Sequence, residues 1–83
     1  MAKDNIAVGH ALYHKGDQES RDWFERQWRI WPKRADENLT TNLALHYGGV
    51  TAYREVHGKE PELSTQFAAN IRWIDAMTKR PRP

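Results

Sequence analysis

The sequence predicts an all-α protein, a small bundle of four or five helices, on three observations. Apolar residues recur three and four positions apart along most of the chain, the spacing that gathers side chains on one face of a helix. No stretch clearly alternates apolar with polar residues as a half-buried strand does. Apart from Gly9, which falls inside the first expected helix, glycines and prolines fall between the periodic stretches, where helices stop and start. At 83 residues the chain reads as one domain over 1–83. Its core is small enough that each large aromatic side chain should matter to stability.

The first helix is expected from Asp4, a capping residue, to about Lys15, with Ile6, Ala7, Ala11, Leu12 and Tyr13 as its apolar content and Gly16 as its stop. Asp17 caps the central helix, and Glu19 and Asp22 sit near its electropositive end. Phe24, Trp28 and Trp31 form one stripe with Trp23 and Ile30 on its shoulder, so this face has to be covered. Arg21, Asp22, Glu25, Arg26 and Arg29 occupy the other face, where Arg21 with Glu25, Asp22 with Arg26, and Glu25 with Arg29 are spaced to pair. Pro32 ends the helix.

A third helix is expected to start at Asp36 or Asn38, carry Leu39, Leu43, Ala44 and Tyr47 in phase, and break at Gly48-Gly49. Val50 to His57 then forms a short helix of its own before Gly58. The last helix begins at Pro61 and repeats Leu63, Phe67, Ile71, Ile74 and Met77 before Pro81. Residues 79–83 read as a flexible basic tail.

The net charge of +2 conceals a local pattern: residues 1–25 carry −2, 26–34 carry +4, 35–78 carry −3 and 79–83 carry +3. With no cysteine, the chain has neither disulfides nor thiolate metal sites, and a reducing cytoplasm suits it. No apolar run is long enough to span a membrane, and Met1 to Gly16 lacks the apolar block of a secretory signal.

Phe24-Glu-Arg-Gln-Trp28-Arg-Ile-Trp31-Pro32-Lys33-Arg34 resembles the F-x-x-x-W-x-x-Y/W-P-[RK]-[RK] segment of phage replication and helicase-loading proteins. That resemblance implies a role linked to nucleic acid. Residues Gly48 to Gly58 are similar to the first helix of Cro-like helix-turn-helix repressors, which implies DNA binding.

Two uses therefore compete. Arg26, Arg29, Lys33 and Arg34, interleaved with tryptophans, suit phosphates and stacked bases, with Lys79, Arg80 and Arg82 of the tail as further cations. The same residue types dominate protein-binding hot spots, so a protein-binding inhibitor or adaptor acting on a host nucleoprotein complex is the alternative. Small phage or mobile-element proteins of that kind are similar in size and composition.

Enzymatic signals are weak. His10 and His14 stand four residues apart with Asp17 three further on, but Gly16 intervenes and surface histidines are the simpler account. His46 and His57 have no nucleophile in the nearby sequence, and Gly48-Gly49 lacks the remaining glycines and the lysine of a phosphate loop. The expectation is a non-enzymatic helical binding protein without metal or cofactor, whose partner is DNA, RNA or a nucleic-acid-associated protein complex.

Overall fold

The computed structural model describes residues 2–32 and 40–78. They form α1 (Ala2–His14), α2 (Gln18–Ile30), α3 (Thr41–His57) and α4 (Thr65–Thr78), a compact all-α arrangement without strands among the described residues. α2, α3 and α4 each begin where a short polar side chain satisfies an orphan amide. Asp17 accepts from the Ser20 N–H at 2.9 Å and Thr40 from the Leu43 N–H at 3.1 Å. Ser64 accepts from the Phe67 N–H at 3.1 Å to open α4.

Four boundaries differ from the sequence expectation. α1 already begins at Ala2, so Asp4, the expected cap, stands inside its first turn. α3 runs unbroken through Gly48 and Gly49 to Gly58, whose left-handed φ of 68° ends it while its N–H donates to the Arg54 carbonyl at 2.8 Å. Its start is capped by Thr40; the expected caps Asp36 and Asn38, and Leu39, lie outside the described residues. α4 starts after Ser64, and Pro61 is a buried residue of the preceding extended segment.

The double glycine acts through packing. A Cβ on Gly48 would lie 1.9 Å from the Ile6 carbonyl oxygen, and one on Gly9 would lie 1.8 Å from that of Leu45. The backbones of α1 and α3 thus touch where both helices lack side chains. Gly49 makes room for Trp28, whose ring would come within 2.9 Å of an added Cβ. Ile6 and Gly9 meet the first half of α3, while Tyr13 reaches His57 at its end, so α1 and α3 run in the same sense.

Trp28 is 0% exposed at the centre of the core, with Tyr13, Phe24, Val50 and Phe67 around it. Its ring stacks on Tyr13 at 5.8 Å and on Phe67 at 6.3 Å. Ser64 ties the end of α2 to the start of α4: its N–H donates to the Trp28 carbonyl and its hydroxyl to that of Trp31, both at 2.9 Å. Orphan carbonyls at one helix end are thereby met by groups at the start of another.

Candidate functional site

The basic segment separates into described and undescribed parts. Arg26 and Arg29 lie on the exposed side of α2, and neither forms an ion pair among the described residues. Lys33 and Arg34, and Lys79, Arg80 and Arg82 of the tail, lie outside the described residues. Arg29 lines a hollow of about 180 Å³ with Lys59, but Glu25, Glu60 and Glu62 line it too, which leaves little net positive potential for a phosphate.

Of the residues expected to pair within α2, Arg21 and Glu25 bond α1 instead, and Asp22 bonds Gln18 one turn back in α2. Arg21 donates to the Tyr13 carbonyl at 2.9 Å and the His14 carbonyl at 2.8 Å, carrying its guanidinium over the Tyr13 ring. Glu25 accepts from the Tyr13 hydroxyl at 2.7 Å, and the His57 Nε2 lies 3.1 Å from that oxygen. Burial first, and then the Glu25 carboxylate, push the Tyr13 phenol well above its ordinary range. Asp22 accepts from the Gln18 amide at 2.7 Å.

Other polar clusters also serve the architecture. Arg54, in the segment that is similar to a Cro-like helix, bonds Glu60 and grips Asp75 with two parallel contacts of 3.0 and 2.9 Å. The Asp75 hydrogen bond, ahead of burial, sets the direction of its pKa, which is raised. This arginine fastens α3 to α4 and is not displayed to a groove of DNA. His10 bonds Glu55 across α1 and α3 and stacks on His14, with ring centroids 5.4 Å apart. Among the described residues no group of three or more His, Cys, Asp or Glu side chains is placed to hold a metal ion.

His46 is enclosed by aromatic rings. It is 2% exposed, with Phe24 at 5.3 Å, Trp31 at 5.0 Å and Trp23 at 5.8 Å. The Trp28 indole N–H donates to its Nδ1 at 2.9 Å, which places the proton of the neutral ring on Nε2. Burial pulls its pKa down to about 4.

The tryptophans divide by exposure. Trp28 is core and Trp31 is half-buried, stacked on Phe67 at 4.8 Å, so the two indoles flanking Arg29 are committed to packing. Trp23 is 47% exposed. It stands over a hollow of about 490 Å³ lined by Leu12, Phe24 and Leu45, with Asp17, Glu19 and Ser20 at its edge. A second hollow of about 460 Å³ adjoins it, sharing Leu12 and Ser20 and adding Val8, Ala11, Lys15 and Gly16.

α1 explains this groove. Ile6, Gly9, His10 and Tyr13 form the stripe that meets α3, whereas Val8, Ala11, Leu12 and Lys15 repeat the same spacing on a second stripe. Val8 and Leu12 are each half exposed. The sequence reading placed Trp23 on the shoulder of the buried face and Leu12 within the apolar content of its helix; the signal it missed was this second register on α1. No helix among the described residues is long and apolar enough to cross a membrane. Compared with family models, curated proteins and solved structures, the chain matches none.

Proposed function

We propose that this chain is a small non-enzymatic binding protein that captures a protein partner through the groove beside Trp23, as an inhibitor or adaptor of a nucleic-acid-associated complex. One observation carries the proposal: Trp23 is half exposed above a concave apolar surface, while the indole of Trp28 is fully enclosed. Tryptophan is enriched among the anchors of protein recognition, because it desolvates a large area with little loss of side-chain freedom. The resemblance of residues 24–34 to phage replication proteins makes a nucleoprotein assembly the natural source of the partner.

Selection of displayed random peptides against the protein tests this. Peptides that bind the wild type should lose about 30-fold or more in affinity for Trp23→Ala, the loss typical of a hot-spot anchor. Unchanged affinity for the variant would reject the groove.

Direct binding of nucleic acid is the second reading, favoured by the exposed guanidinium groups of Arg26 and Arg29, which form no ion pair among the described residues. Titration of DNA and RNA across several salt concentrations decides it, comparing wild type with Arg26→Ala plus Arg29→Ala and with Lys33→Ala plus Arg34→Ala. Each lost phosphate contact should lower the salt slope by nearly one unit. Absence of binding at low salt ends this reading.

A further inference from the structure

Resting on the groove as a protein-binding site, we infer that its occupant is a short segment of a protein partner that lays an arginine or lysine against the Trp23 indole and apolar side chains into the Leu12 hollow. The charge on the walls is not shared evenly. Asp17 and Glu19 line the hollow that Trp23 overlooks. Lys15 lines the other hollow, whose remaining walls are Val8, Ala11, Leu12, Gly16 and Ser20.

Asp17 stays ionised in the folded state. The Ser20 amide holds its carboxyl below the usual carboxylate range, and that bond is the cap that starts α2. A cation arriving over the Trp23 indole meets the negative face of the ring and these carboxylates together, two attractions that a neutral side chain forgoes. Phosphate would meet the same carboxylates as repulsion, so a nucleic acid is the wrong occupant for this groove. Over the Lys15 hollow the preference reverses: a second cation there is disfavoured and an apolar side chain covers Val8, Ala11 and Leu12. The occupant is therefore polarised, basic at Trp23 and apolar over Val8 and Ala11, which also fixes its direction along the groove.

Three short synthetic helical peptides with one shared leucine stripe test this, differing only in whether Arg, Gln or Glu stands at the two positions next to the stripe. Binding is read from the Trp23 indole N–H signal and from calorimetry. Affinity should fall in the order Arg, Gln, Glu, with about tenfold between the first two. Asp17→Asn plus Glu19→Gln keeps a capping side chain at 17 and should erase that order. Equal binding of the Arg and Gln peptides, or an Arg preference that survives in the double variant, overturns the inference and leaves the groove standing. If none of the three shifts the Trp23 signal, the groove reading falls with it. Sedimentation that finds a dimer dissolved by Trp23→Ala assigns the groove to a second copy of the chain and overturns the inference as well.

Discussion

Gly48→Ala should destabilise the protein, against the ordinary expectation for an alanine inside a helix. On propensity alone the change favours α3 by about 1 kcal/mol. The structure opposes it, because the new methyl would lie 1.9 Å from the Ile6 carbonyl oxygen and 2.7 Å from the His10 amide nitrogen. Both obstacles are backbone atoms, which cannot rotate away. α1 and α3 would have to part by about 1 Å, loosening the Gly9 contact with Leu45 in the same movement. Overpacking of this kind costs about 3 kcal/mol at the upper end of its usual range, which leaves a net loss of about 2 kcal/mol. For a chain of this size that lowers the melting temperature by about 10 °C. Urea and thermal unfolding followed by circular dichroism measure it. Gly49→Ala is the comparison, since its methyl meets the ring of Trp28 at 2.9 Å and the loss should be smaller. A Gly48→Ala protein as stable as wild type, or more stable, would refute the close approach of α1 and α3.

Two further outcomes follow from the core. Trp28→Ala should cost about 3–5 kcal/mol, since it removes a fully enclosed ring and the donor to His46, and a variant with an unchanged unfolding midpoint would show the indole to be exposed. Stability should also fall as pH drops from 6.5 to about 4, because the unfolded imidazole of His46 takes up a proton that the buried ring refuses; the loss reaches about 3 kcal/mol and should disappear in His46→Gln.

The parts of this fold that were legible in the sequence are those that one helix decides alone. Phe24 and Trp28 share a face at the helical period, and both are buried. Asp17 and Gly58 mark helix ends by local chemistry. What was not legible depends on a second helix. Gly48-Gly49 carries one local meaning, a weak point in a helix, and another meaning only once the α1 backbone at Ile6 and His10 and the ring of Trp28 are known to lie against it. Arg21 and Glu25 are spaced to pair with each other, yet Tyr13 offers both a more buried partner. Pro61 suits a first helical turn, but the carbonyls of Trp28 and Trp31 draw Ser64 into that place. The candidate site follows the same rule. Trp23 stands one residue from Phe24, and which of the two is covered depends on where His46 and Leu45 lie on α3.

The contact between α1 and α3 also explains why an apolar groove persists in so small a protein. Two glycines let the backbones meet, so the α3-facing stripe of α1 is filled by the approach of the helix itself and by Tyr13. Val8 and Leu12 stand about 130° away from the centre of that contact stripe, on a side that faces the seam with α2. α4 cannot close this seam, because Ser64, Arg54 and Tyr47 anchor it to the far end of α2 and to α3. On the proposed function, stability and recognition draw on different stripes of the same helix. Half-exposed Leu12 and Trp23 tolerate change better than Gly9 and Tyr13, which are enclosed between helices. A binding surface built this way can alter its specificity without disturbing the helix pair that supports it.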